Sequence, residues 1–119
     1  HPFYLQYWSF SVHAPIDAKP ALIEKYRQKA FRLGESGARW NPVYAAMIES
    51  FDDAVGRLLD TIDELKLTDD TIIVFLSDNG GVHWPIKAKD ATSTTGNVTT
   101  NAPLRAGNAT TYEGGTRVP

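Results

Sequence analysis

Cysteine is absent from the 119 residues, which excludes disulfides, thiolate metal sites and a cysteine nucleophile within them. An excess of one charge is absent too. Twelve Lys and Arg face fourteen Asp and Glu, for a formal charge of -2, so no basic surface offers nucleic acid a broad electrostatic grip. No apolar run approaches the ~18–20 residues that a membrane helix needs, and no internal repeat is visible. What is present is a globular composition, 42% hydrophobic and 22% charged, suited to one domain or a piece of a larger one. The chain opens on His1 and closes on Arg117-Val118-Pro119, and it is read here as an excised piece.

Phe3 to Val12 is rich in aromatic and β-branched residues and stops at His13-Ala14-Pro15, where proline restricts the residue before it. This predicts a strand, apolar on both faces as buried parallel strands are. Pro20 to Leu33 spaces Leu22, Ile23, Tyr26, Ala30 and Phe31 among charges, the pattern of a short amphipathic helix. Asn41 to Leu67 gives the clearest signal. Asn41 is a good cap, Pro42 a good first helical residue, and Tyr44, Met47, Ile48, Phe51, Val55, Leu58, Leu59, Ile62 and Leu65 draw one helical stripe. The carboxylates of this segment fall mostly off the stripe and read as a solvated face. After a turn at Leu67–Asp70, Thr71 to Leu76 predicts a second, wholly apolar strand.

Strand, helix, strand in this order predicts a βαβ unit with parallel strands and a right-handed crossover. The expected fold class is therefore α/β, with a mostly parallel sheet and flanking helices. Strands apolar on both faces need further strands and another helical layer, so the sheet is expected to be incomplete within this chain. Residues 82–111 carry no periodicity and are expected to form one long loop, of the kind that is commonly functional. The tail from Thr110 is a glycine-hinged segment with an expected strand start at its end.

Open α/β sheets bind ligands at the carboxyl ends of their strands. His13 follows the first predicted strand; Asp78 and Asn79 follow the second, ahead of Gly80 and Gly81. Asp and Asn offer oxygen donors, which suit hard cations such as calcium or magnesium better than zinc. Two donors are fewer than the about 6–8 oxygens that calcium takes, and on spacing alone Asp-Asn-Gly-Gly reads first as a plain turn. His13 is compatible with anion binding, metal ligation, proton transfer or a structural hydrogen bond. His83 reads as loop surface. Ser77 lacks the flanking glycines of a nucleophile elbow and is set aside. The glycosylation-type triplets at Asn97 and Asn108 are short and common, and carry little weight.

Taken in order, His13-Ala14-Pro15, the helix from Tyr44 to Arg57, Ser77-Asp78-Asn79-Gly80-Gly81, Asn101-Ala-Pro-Leu-Arg105 and Tyr112-Glu-Gly-Gly-Thr-Arg-Val-Pro119 resemble the arylsulfatase-type sulfatases of the alkaline phosphatase-like superfamily. The resemblance covers essentially the whole chain. It implies that residues 1–119 are the central portion of a catalytic domain with an alkaline phosphatase-like sandwich fold. It also implies a sulfuric ester hydrolase, periplasmic or secreted, acting on sulfate esters. Its calcium would be bound by Asp78 and Asn79, and its sulfate group would be contacted by His13. The family's formylglycine, made within a Cys/Ser-x-Pro/Ala-x-Arg motif, is expected outside this chain, in the rest of the domain. Where the family usually places a sulfate-gripping Lys, this chain has Asn108; Lys87, Lys89 and Arg105 are the nearby candidates for the missing cation. A non-catalytic binding protein on the same fold is the alternative that Asn108 favours. A related two-zinc phosphoesterase is disfavoured, because those proteins typically carry Asp-His where this chain has Asp78-Asn79.

Overall fold

Asn41 starts the longest helix as its residue type requires: its side-chain oxygen accepts hydrogen bonds from the backbone N–H of Val43 at 3.0 Å and of Tyr44 at 3.1 Å. In the computed structural model, which describes residues 1–35, 40–86 and 97–118, helix α1 spans Pro20–Leu33 and helix α2 spans Pro42–Glu64. Both agree with the sequence expectation to within a few residues at the C-terminal end of α2. Each helix ends on a left-handed residue, Gly34 after α1 and Lys66 after α2. The N–H of Glu35 reaches back to Ala30 and that of Leu67 to Ile62, the closing bonds of a Schellman cap. A 3₁₀ turn follows at Thr68–Asp70. No helix of the described residues is long and apolar enough to cross a membrane.

Because Asn41 is itself buried and satisfies two otherwise orphaned N–H groups, Asn41→Ala is expected to cost about 1–2 kcal/mol, read as a lowered midpoint in urea denaturation. An unchanged midpoint would mean that the cap contributes nothing.

The core is small. Ile16, Val43, Met47 and Val98 form its buried centre, with Val12, Ala18, Ile23, Tyr44 and Ile86 packed around it. It therefore joins the segment before α1, both helices and the loop beyond residue 82. Lys25 of α1 pairs with Glu49 of α2 at 2.7 Å. The hydrogen bond to Lys25 holds the Glu49 carboxyl below its ordinary range, and the same bond raises Lys25. The pair is solvent-facing and contributes little to stability.

The expected strands are where the structure departs from the sequence reading. Phe3–Val12 and Thr71–Leu76 enter no β-ladder among the described residues, so the parallel sheet is not observed. The β-pairing among the described residues is one isolated antiparallel bridge between Pro85 and Asn97. The physical reason is the lack of neighbours. A strand exists only where another backbone takes up its N–H and C=O groups, and these two segments are solvent-exposed over most of their length, with Phe10 94% and Ile72 93% accessible and only Val12 and Thr71 half-buried. Both nevertheless lie against α2. Phe51 stacks on Tyr7 with ring centroids 6.3 Å apart and meets Phe75 at 6.2 Å, within the range of favourable aromatic pairs. The helical stripe is used unevenly for the same reason: Met47 and Ile62 are buried, whereas Ile48, Leu59 and Leu65 remain exposed.

The tail also differs from expectation. Glu113–Thr116 forms the short helix α3, in which the Tyr112 carbonyl accepts from Gly115 and Thr116; of the strand start expected at the end of the tail, Arg117 and Val118 enter no strand and Pro119 lies outside the described residues. Gly114 and Gly115 are there for close backbone approach, as the site geometry makes clear. Within 82–111, the described parts 82–86 and 97–111 hold no helix, in keeping with a long loop; Lys87 and Lys89 lie outside the described residues.

Candidate functional site

Three short stretches interlock where Thr71–Leu76 ends: 77–81, 101–108 and 112–116. Each contributes backbone that side chains would push apart. A Cβ on Gly80 would overlap the carbonyl of Gly114, one on Gly114 would overlap the carbonyls of Ala106 and Arg105, and one on Gly107 would overlap the carbonyl of Gly81 and the Asn101 amide. Glycine is required at these positions because the chains approach to backbone contact. The approach is fixed by direct bonds: Gly80 N–H to Gly115 O at 3.0 Å, Gly114 N–H to Arg105 O at 2.9 Å and Asn108 N–H to Gly81 O at 3.0 Å.

Asp78 and Asn79 sit in the 77–81 turn. Ser77 donates its hydroxyl to Asn79 O at 2.9 Å, and Asn79 donates its amide nitrogen to Gly80 O at 3.2 Å. Ser77 thus braces the turn. Among the described residues no hydrogen bond is made to the Asn79 side-chain oxygen, and the Asp78 carboxylate is exposed. Among the described residues no group of three or more His, Cys, Asp or Glu side chains could hold a metal. The donor set of the turn is therefore two oxygens, one charged and one neutral. That fits part of a calcium shell and not a zinc site.

The residues singled out from sequence are brought together in part. Asn108 is one backbone hydrogen bond from Gly81, and so adjoins the turn that carries Asp78 and Asn79. His13 is exposed and its Nδ1 lies 2.8 Å from its neighbour's carbonyl, Ala14 O; among the described residues no hydrogen bond joins it to the turn. Arg105 is committed elsewhere, with its guanidinium 3.8 Å above the ring of Tyr112. His83 is not loop surface as expected. Its ring meets Trp84 edge-on at 5.0 Å, and its Nδ1 is buried with no hydrogen-bond partner among the described residues. Ala106 and Ala109, which bracket Gly107-Asn108, both hold φ of 61°, a left-handed conformation that costs an L-residue about 1–2 kcal/mol.

Asn101 is the organising residue that sequence reasoning missed. Its oxygen accepts from Gly81 N–H at 2.9 Å, and its nitrogen donates to Gly81 O at 2.8 Å and to Ala106 O at 3.0 Å. One side chain thus ties the Asp78-Asn79 turn to the Asn108 loop. The available signal was an asparagine followed five residues later by a glycine-containing turn, opposite a second glycine pair.

An interlocked turn of this kind, with a hard-oxygen pair beside an amide-bearing loop, is suited to holding a cation and an anion side by side. The family model described as Sulfatase matches residues 1–119, and the chain belongs to the sulfatase family. It is similar to human N-acetylgalactosamine-6-sulfatase, 32% identical over 100% of this chain and 19% of that protein. It is similar to N-acetylgalactosamine-6-O-sulfatase of Bacteroides thetaiotaomicron, 32% identical over 99% of this chain and 20% of that protein. Human steryl-sulfatase is 35% identical over 71% of this chain and 14% of its own length. The chain thus spans about a fifth of the length of the relatives that it matches end to end.

Proposed function

We propose that the protein carrying this chain is a calcium-dependent sulfuric ester hydrolase, and that residues 1–119 are the central portion of its catalytic domain. Phe3–Val12 and Thr71–Leu76 are read as parallel strands of that domain's alkaline phosphatase-like sheet, paired by strands from the rest of the polypeptide. The observation that carries the functional reading is the hydrogen bond from Asn108 N–H to Gly81 O at 3.0 Å, which joins the anion-side residue to the cation-side turn. Membership of the sulfatase family supports it.

In this reading Asp78 and Asn79 would each offer one oxygen to calcium, with other residues completing the shell. When bound, calcium would supply positive charge against the sulfate oxygens. Asn108 donates an amide N–H to the sulfate, and His13 contacts the same group, donating a ring N–H as negative charge shifts toward the leaving oxygen. The nucleophile, a formylglycine, belongs to the rest of the domain. A second reading, a binding protein that recognises a sulfated ligand without turnover, is favoured by the neutral side chain at 108.

Asn108→Lys separates the two. A hydrogen bond to a charged group contributes about 1.5–3 kcal/mol, part of which a neutral amide forgoes. In an enzyme, Asn108→Lys is expected to raise kcat/KM on an aryl sulfate roughly ten- to a hundredfold. In a binding protein it raises sulfate affinity and turnover stays undetectable. No change in either quantity would remove Asn108 from the sulfate.

A further inference from the structure

We propose that Asn101 is a positioning residue of this site: its side-chain amide sets the separation between the Asp78-Asn79 turn and the Asn108 loop. The proposal rests on the sulfatase reading above for what the site does, but not for the geometry. Asn101 exchanges two of its three side-chain bonds with Gly81, oxygen to N–H at 2.9 Å and nitrogen to carbonyl at 2.8 Å, as a backbone neighbour in an antiparallel pair would. Its second N–H spans to Ala106 O at 3.0 Å. Gly81 O, held in this way, is also the acceptor for Asn108 N–H at 3.0 Å. The chain from amide to turn to Asn108 is therefore continuous, with no long flexible side chain in it.

Asparagine alone satisfies this arrangement. Two acceptor carbonyls and one N–H donor converge on the side chain, and a primary amide supplies the two donors and one acceptor they need. Aspartate has the same shape and no donor, so its carboxylate would face two carbonyl oxygens. Alanine removes these partners from Gly81 N–H and Ala106 O and leaves Gly81 O with Asn108 N–H alone, and glutamine is one carbon too long for a pocket in which a Cβ on Gly107 would already overlap the Asn101 nitrogen. The neighbouring backbone needs holding. Ala106 and Ala109 sit at φ of 61°, a conformation that alanine leaves when it is not constrained, and the Asn101 bond is made to the carbonyl of the first of them. Asn101 is half-buried and bonded wholly to backbone, so it acts through Asn108 and the turn and not on substrate.

The test is a double-mutant cycle in an active enzyme carrying this chain, with calcium saturating and an aryl sulfate as substrate. Asn101→Ala and Asn108→Ala are each expected to lower kcat/KM roughly ten- to a hundredfold, and the double variant is expected to lie within about threefold of the worse single variant, because coupled residues are not additive. Losses that multiply would overturn the proposal. Asn101→Asp is expected to fall furthest at neutral pH and to regain activity relative to wild type as pH falls, since the protonated carboxyl recovers an O–H donor; a ratio flat with pH counts against it. Hydrogen exchange at the Asn108 amide gives a readout independent of turnover. Asn101→Ala should remove protection there, and unchanged protection sinks the positioning role. Lost protection combined with wild-type turnover in Asn108→Ala would uphold the positioning and sink the functional reading of Asn108 instead. If Asn101→Ala does not melt cooperatively, Asn101→Ser, which keeps a hydroxyl in the pocket, takes its place in the cycle, and multiplicative losses there overturn the proposal equally.

Discussion

Asp78→Ala is expected to abolish sulfate ester turnover while leaving the melting temperature within about a degree of wild type. The two halves of this expectation come from different parts of the structure. The Asp78 side chain is exposed, and the bonds that hold its turn are made by Ser77 to Asn79 O, Asn79 to Gly80 O and Gly80 to Gly115 O. Alanine at 78 disturbs none of them, and surface substitutions away from such features change stability by about 0.5 kcal/mol or less. The chemistry is affected far more. A bound divalent cation provides several kcal/mol of charge stabilisation, and Asp78 is the charged member of the oxygen pair, so losing it is expected to cost on the order of a thousandfold or more in kcat/KM. Activity, calcium affinity by calorimetry and melting temperature are measured together. Unaltered turnover with weakened calcium binding would mean that the ion is structural. Lost turnover with a collapsed melting transition would mean that Asp78 holds the fold and not the ion. Asn79→Asp serves as the companion, since it keeps an oxygen donor, adds charge, and is expected to retain calcium.

The parts of this molecule that were legible in sequence are those whose cause is local. Asn41-Pro42 encodes a cap and a helical first turn within four residues, and α2 begins there; the bounds of α1 follow from Pro20 and the left-handed Gly34. The two apolar segments are legible as composition but not as structure. A ladder depends on the neighbour that accepts its hydrogen bonds, and the described residues contain none for Phe3–Val12 or Thr71–Leu76. What can be seen is their shared contact with Phe51, the position a crossover helix should occupy. The site divides along the same line. Asp78 and Asn79 are proposed on donor type, and Asn108 on its place in a motif. Asn101 acts across a separation in sequence, through amide bonds that any asparagine could make, in a run of Thr, Ser, Gly and Asn that reads as loop. His83 misleads for the opposite reason: a polar residue in a polar loop reads as surface, while its ring packs edge-on against Trp84 and its Nδ1 is buried beside Gly107.

Two glycine-to-alanine substitutions in this chain are expected to have opposite signs. At Gly80 the added methyl would overlap the carbonyl oxygen of Gly114 and come 2.8 Å from its carbonyl carbon. Neither side can yield. Gly114 is itself backed against the carbonyls of Ala106 and Arg105, and Gly80 donates its own N–H to Gly115 at 3.0 Å. Relief requires separating the 77–81 turn from α3, which forfeits that hydrogen bond as well as the contact. Overpacking costs about 1–3 kcal/mol and the lost bond about 1 kcal/mol, so Gly80→Ala is expected to destabilise by about 2–4 kcal/mol. Activity should fall with it, because the turn that moves is the one carrying Asp78 and Asn79. Gly56 lies inside α2, with nothing within 4 Å of where a methyl would sit. There alanine removes the conformational freedom that glycine loses on folding, and Gly56→Ala is expected to stabilise by about 0.5–1 kcal/mol with turnover unchanged. Urea denaturation of the two variants beside wild type decides the matter. A Gly80→Ala protein as stable as Gly56→Ala would show that the turn and α3 do not approach to backbone contact, and the interlocked site would have to be redrawn.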